Sequence, residues 1–377
     1  MRVPVLYGLM LLSASTLIAQ SPTPRTSEVE KALAAAKDNR AELERALAGT
    51  MDEQRKGMEF LIANMPDRDL KGLKADYLLE NVKLAYEARK ALPWGKEIPE
   101  AIFLNNVLPY ANVDETRDPW RKELYALCLP MVKGCKTPAD AAQLLNRELF
   151  PKLKVKYSTQ RKAPNAGPKQ TMETGLASCT GLSILLSDAC RSVCVPTRVV
   201  GTPLWANKRG NHTWLEIWDK DWHFTGACEP DPSGLDRGWF VGDASQAKKD
   251  VPEHAIYAAS FAKTDTHFPL VWARNSKVVN AENVTDRYAK KELPKDTVRV
   301  LIRVVNADKK RVKADVTVTD GKAVLTGQSK NESNDTNDFL TFDLKPETEF
   351  TVKVGAESKT FKTDKAGSTQ TVQVELK

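Results

Sequence analysis

The hydrophobic period changes along this chain of 377 residues, and that change limits the folds open to it. Between residues 28 and 92, apolar side chains recur at helical spacing. Val29, Leu33 and Ala36 form one group, Leu43, Ala46 and Leu47 a second, and Tyr77, Leu78, Val82, Leu84, Ala85 and Ala88 a third. Stripes of this kind predict amphipathic helices that must pack against something. From Thr297 the period drops to two: Val298, Val300, Ile302 and Val304 alternate with other residues, and Val316 with Val318, Val352 with Val354 and the run Thr371 to Leu376 continue the pattern. Alternation gives each strand one core-facing side, so short strands with polar turns over about 80 residues predict a small β-sandwich. This segment holds no cysteine or histidine, and reads as structural or as a weakly adhesive module. Its Asn/Ser/Asp-rich run 331–338 reads as a loop tip. A chain of this length exceeds one ordinary core, and several packed units are expected.

The middle of the chain carries the chemistry. A basic, Pro- and Gly-containing loop, Arg161 to Pro168, leads towards Gly175-Leu176-Ala177-Ser178-Cys179-Thr180-Gly181-Leu182. The following run, Leu182 to Cys190, has apolar residues at helical spacing, so Cys179 is predicted to open a helix. Unpaired N–H groups and the positive dipole end at that position favour a thiolate. Val195 to Leu204, His212 to Trp218 and Trp222 to Glu229 read as strands, the last two joined at Asp219-Lys220-Asp221 in a hairpin. Cys179, His212 and Glu229 then form a candidate nucleophile, base and orienting carboxylate. His223, beside Trp222, is a weaker rival that packs or hydrogen-bonds locally, and His267 reads as structural. Cys190, Cys194 and Cys228 read as inert packing.

In this order, the Gly175-x-x-Ser178-Cys179-Thr180-Gly181 segment, Val195-Pro196-Thr197-Arg198-Val199-Val200-Gly201, Asn211-His212-Thr213-Trp214-Leu215-Glu216-Ile217-Trp218 and Trp222 to Pro230 resemble the transglutaminase-like superfamily. The resemblance covers about residues 100–275. It implies an α+β protein with a papain-like/transglutaminase-like core (100–275), an N-terminal helical region (21–99), a linker (276–295) and the C-terminal β-sandwich (296–377). The family ends its acid strand in Asp-Pro, whereas this chain has Cys228-Glu229-Pro230-Asp231-Pro232, so Glu229 or Asp231 can fill the place. Glu229 is favoured because it lies closer to the strand that pairs with the His212 strand. By the same resemblance Cys179 attacks an amide carbonyl to form a thioester, and His212 moves the proton. The Cys179 backbone N–H and the side chain of Gln170 are candidate oxyanion donors, and Trp205, Trp214 and Trp222 candidate cleft walls. Release of the acyl group by water is favoured over transfer to an amine. This chemistry requires no cofactor, and the acidic calcium clusters of animal transglutaminases are not evident. The rival reading is a non-catalytic peptide- or glycan-binding scaffold.

Residues 1–20 read as a signal peptide: Arg2 precedes an apolar run that ends at Leu17-Ile18-Ala19. A secreted or periplasmic protein acting on peptide or protein amides, those of the cell envelope among them, is the resulting expectation. The net charge of +7 comes from scattered lysines without interleaved aromatics, which argues against nucleic acid as a partner. No zinc spacing is visible, since Cys190-x-x-x-Cys194 straddles a helix end without a histidine pair. Of the six cysteines, Cys128 and Cys135 are the expected local disulfide.

Overall fold

The computed structural model describes residues 26–289 and 296–377. The expected signal peptide lies outside the described residues. The N-terminal stripes form α1 (Ser27–Ala35), α2 (Arg40–Gly49), α3 (Asp52–Asn64), α4 (Asp67–Leu70) and α5 (Ala75–Ala91). Thr26 caps α1 by accepting from the Val29 amide. The predicted stripe residues Val29, Leu33, Leu43, Leu78 and Val82 are fully buried. They belong to one apolar cluster with residues of the middle region, so the N-terminal helices share the central core. Trp94 Nε1 joins the two parts by donating to the Cys194 carbonyl at 2.9 Å.

Helices α6 (Glu100–Asn106), α7 (Arg121–Val132), α8 (Pro138–Leu153), α9 (Pro168–Thr174) and α10 (Cys179–Ser192) follow, with the short parallel pair β1 (Lys156–Tyr157) and β2 (Leu176–Ala177) among them. Arg121 is buried and donates to the carbonyls of Val107, Leu108, Pro109 and Arg191 at 2.9–3.1 Å. A buried guanidinium with this many partners fixes loops that otherwise have no regular structure. Helix α10 is buried along nearly its whole length. It packs against α7, α8 and a six-stranded sheet.

That sheet contains β3 (Thr197–Thr202), β4 (His212–Asp219), β5 (Asp221–Thr225), β6 (Tyr257–Ser260), β7 (Thr266–His267) and β8 (Asn280–Asn283), in the order β5-β4-β3-β6-β8-β7. The predicted hairpin forms with Asp219 opposite Asp221 and Lys220 at φ 65°. Two expectations need correction. The acid strand stops at Thr225, because Gly226 to Glu229 close a turn bridged between those two residues. The segment 276–295, expected as a linker, includes β8; after α11 (Val241–Ala244), it also includes α12 (Thr285–Tyr288). The Tyr288 hydroxyl donates to Glu216 at 2.8 Å and accepts from Trp214 Nε1 at 2.9 Å, so the core extends to this residue.

The C-terminal part holds two sheets, β11-β10-β13-β14 and β12-β9-β15. Their strands are β9 (Val298–Val305), β10 (Asp315–Thr319), β11 (Val324–Gln328), β12 (Leu340–Leu344), β13 (Glu349–Val354), β14 (Glu357–Lys362) and β15 (Thr369–Glu375). Alternate valines of β9, β10, β13 and β15 meet in a separate apolar cluster between the sheets. Among the described residues no helix is long and apolar enough to cross a membrane. All six cysteines are free thiols, so the expected Cys128–Cys135 bridge is not formed. Cys128 lies in the buried face of α7, while Cys135 sits beyond the helix end.

Candidate active site

Local chemistry fixes Cys179. Gly175 ends α9 at φ +66°, a conformation that side-chain-bearing residues rarely adopt. The chain then pairs with β1 through Lys156 N to Gly175 O (3.0 Å) and Ser158 N to Ala177 O (2.8 Å). Ser178 caps α10 by accepting from the Gly181 amide at 3.1 Å, and its hydroxyl donates to the Pro164 carbonyl. Cys179 is therefore the first residue of α10, as the sequence predicts. Its backbone N–H has no partner within the helix at that position.

His212 opens β4 as predicted. Thr180 and Thr213 pair through their hydroxyls at 3.0 Å and so bind the start of α10 to the start of β4. Across the sheet, Gly201 of β3 lies close enough that a Cβ would stand 3.0 Å from the His212 carbonyl oxygen. The His212 ring is 1% exposed. It sits among Trp214, Trp239 and Phe240, with ring centroids at 5.8, 4.6 and 5.0 Å.

The carboxylate facing this ring is Asp335, from the C-terminal loop between β11 and β12. Its Oδ2 lies 3.6 Å from His212 Nδ1, and both side chains are almost fully enclosed. One donor atom each from Cys179, His212 and Asp335 all lie within 4.8 Å of one another. At 3.6 Å the His212–Asp335 contact is longer than a hydrogen bond, and neither ring nitrogen has a hydrogen-bond partner. Burial disfavours the charged ring, but Asp335 and Cys179 outweigh it and hold His212 well above its ordinary 6.5. Burial likewise opposes ionisation of Asp335, yet His212, the Asn337 amide and Arg311 keep its carboxyl below 3.8.

Glu229, the expected third member, lies outside this group. Its carboxylate accepts from Trp239 Nε1 at 2.8 Å. Burial raises its pKa to about 7, against the opposing pull of His212. Asp231, the alternative, accepts from the Ser233 amide within a turn. Gln170 does not line the opening above Cys179. That cleft, of about 270 Å³, is bounded chiefly by Tyr157, Arg161, Cys179, Trp272, Asp335 and Thr336. Nor do the three tryptophans expected there wall it. Trp205 and Trp214 are buried in the core, and Trp222 carries the Arg198 guanidinium 4.0 Å above its ring. His223 pairs with Asp236 at 2.7 Å, the local partner expected of it.

Sequence reasoning missed Asp335, Tyr157, Trp239 and Trp272. The loop that delivers Asp335 is built from within. The buried guanidinium of Arg311 donates to the carbonyls of Asn334, Asp335 and Asp338 at 2.7–3.1 Å. Asp335 Oδ1 accepts from the Asn337 amide at 2.8 Å. The loop also binds the core, through Thr336 to the Tyr157 hydroxyl (2.6 Å) and Asn337 Nδ2 to the Asn211 carbonyl (3.0 Å). An Asp-x-Asn turn is visible in sequence, but nothing there says which surface it meets.

Residues 125–244 match the Transglutaminase-like superfamily. The matched stretch includes α10 with Cys179 and β4 with His212. Similar solved structures include a candidate cysteine protease from Cytophaga hutchinsonii (17% identity, 43% of this chain and 58% of that one, TM-score 0.26). A red sea bream transglutaminase aligns at 9% identity over 72% of this chain and 65% of its own, with TM-score 0.34. A candidate protease from Parabacteroides distasonis aligns at 6% identity, covering 65% of this chain and 37% of that one, with TM-score 0.26. The chain thus spans less than two thirds of the length of each. Among curated proteins, none matches this chain.

Proposed function

We propose that the protein is an exported cysteine enzyme that attacks peptide or protein amides through a thioester. The observation carrying this reading is the convergence of Cys179, His212 and Asp335 within 4.8 Å beneath an open cleft. His212 takes the thiol proton to give a thiolate–imidazolium pair, and Cys179 Sγ then attacks the carbonyl carbon. The same imidazolium then protonates the departing amine. Asp335 is the positioning residue that holds the imidazolium charge. The Cys179 backbone N–H, unpaired at the helix start, is the donor proposed for the developing oxyanion, and Tyr157 lines the same cleft. Water admitted to the cleft releases the acyl group by hydrolysis, and an amine admitted there would take it by transfer. Hydrolysis is the favoured outcome, as the resemblance implies.

The test is labelling with a thiol-reactive peptide probe, followed by mass mapping of the modified residue. Selective modification of Cys179, lost in His212→Ala, supports the reading. Equal labelling of Cys135, Cys179 and Cys228, the three thiols that are not fully buried, refutes it. It would favour the non-catalytic scaffold.

A further inference from the structure

The same three side chains suit a second kind of occupant. We infer that Cys179, His212 and Asp335 form a binding site for a zinc-class divalent metal, which bridges the core and the C-terminal sheets and silences the thiol. The inference uses the residues of the proposed reaction but does not depend on that reaction.

Four observations carry it. The donor set of one thiolate, one imidazole and one carboxylate is a zinc set. The 3.6 Å between His212 Nδ1 and Asp335 Oδ2 is too long for a hydrogen bond. It is close to the separation of a nitrogen and an oxygen ligand on one tetrahedral zinc, roughly 3.3–3.5 Å from ordinary zinc–ligand lengths. One ligand atom from each of the three residues lies within 4.8 Å of the other two, close enough for a single ion to be shared among them. Both nitrogens of a ring that is 1% exposed are without hydrogen-bond partners, a costly state that ligation would relieve at one of them.

The surroundings are those of a supported site. Asp335 Oδ1 is engaged by the Asn337 amide, which leaves Oδ2 directed at His212. Arg311 fixes the backbone on both sides of Asp335. The cleft is lined by Cys179 and Asp335, two of the three ligands, which gives an ion a route in. Binding requires Cys179 as thiolate and His212 neutral, so the one proton held between them passes to solvent. Because two ligands belong to the core and one to the C-terminal loop, the metal also fastens the two together.

The experiment titrates Co²⁺ into the reduced full-length protein and follows the thiolate-to-cobalt charge-transfer absorption. One equivalent should produce the band in the wild type. Cys179→Ser should abolish it, and Asp335→Ala should weaken binding at least ~10-fold. Zn²⁺ should displace the cobalt and protect Cys179 from iodoacetamide. If Asp335→Ala fails to fold, Asp335→Asn, which keeps the shape but is a poorer ligand, takes its place. Absence of the band, its persistence in Cys179→Ser, or equal affinity in the Asp335 variants overturns the inference. The peptide-probe labelling, done without metal, fails or succeeds independently.

Discussion

Asp335→Asn removes the charge that faces His212 while keeping the side chain's shape, so it isolates the electrostatic part of the site. The two groups are 3.6 Å apart and at most 3% exposed, so solvent screening is slight. With an effective dielectric constant of about 20, their attraction is about 4–5 kcal/mol, or about 3 pK units on the imidazole. His212 should therefore fall from well above 6.5 to near or below that value in the variant. The stability consequence has two edges. The raised His212 contributes fully below its unfolded value of about 6.5, and its contribution fades as pH rises through the folded value. The lowered Asp335 contributes fully above about 3.9, and is lost as pH falls through its own folded value. The stability difference between wild type and variant should therefore be largest between these limits. The assay is the carbon-13 resonance of labelled His212 followed against pH. With four histidines in the chain, its assignment comes from the peak missing in His212→Gln. A titration midpoint that moves by less than about half a unit would refute the pairing.

Three further outcomes follow from the geometry. Burial raises Glu229 to about 7, so in the wild type stability should decline as pH rises from about 4.5 to about 7, with roughly 3 kcal/mol lost. Glu229→Gln should flatten that slope in urea denaturation, and an unchanged slope would show that Glu229 ionises freely. Arg311→Met removes three charged hydrogen bonds to the 331–338 backbone and should cost about 3 kcal/mol. Amide exchange should accelerate in that loop ahead of β9 and β15, and uniform acceleration would contradict a local role. Unfolded without reductant, the protein should release six thiols to a colorimetric reagent, and four would restore a disulfide such as Cys128–Cys135.

Much of the scaffold could be read from the sequence because its signals are local. The placement of Cys179 follows from Ser178 as a cap, Gly175 as a helix stop and an apolar run at helical spacing. The turn at Lys220 and the alternating valines of β9 are equally short-range. The error over Trp214 was avoidable by the same rules. Residues 212 and 214 lie on one face of β4, so a tryptophan two positions from a buried histidine shares its interior rather than walling a cleft. Glu229 is a different case. Its position after the histidine strand suggested the orienting role, but the turn at 226–229 leads its carboxylate to Trp239.

Asp335 could not be found by any such rule, and the reason is physical. Its loop is polar, and its residues serve turn geometry: Asp335 binds the amide of Asn337, and Asn331 those around Ser333. Those signals describe a tip and say nothing about what the tip touches. The contact exists because two separate apolar cores meet, one behind β4 and one between the C-terminal sheets. Arg209 reaches across that boundary, with its guanidinium paired to Asp243 and also donating to the Asn337 carbonyl at 3.4 Å. Undocked, His212 loses the carboxylate that holds its charge, and Asp335 loses the ring that offsets its desolvation. The site and the junction between the two units therefore form together, and a change at either should be felt at the other.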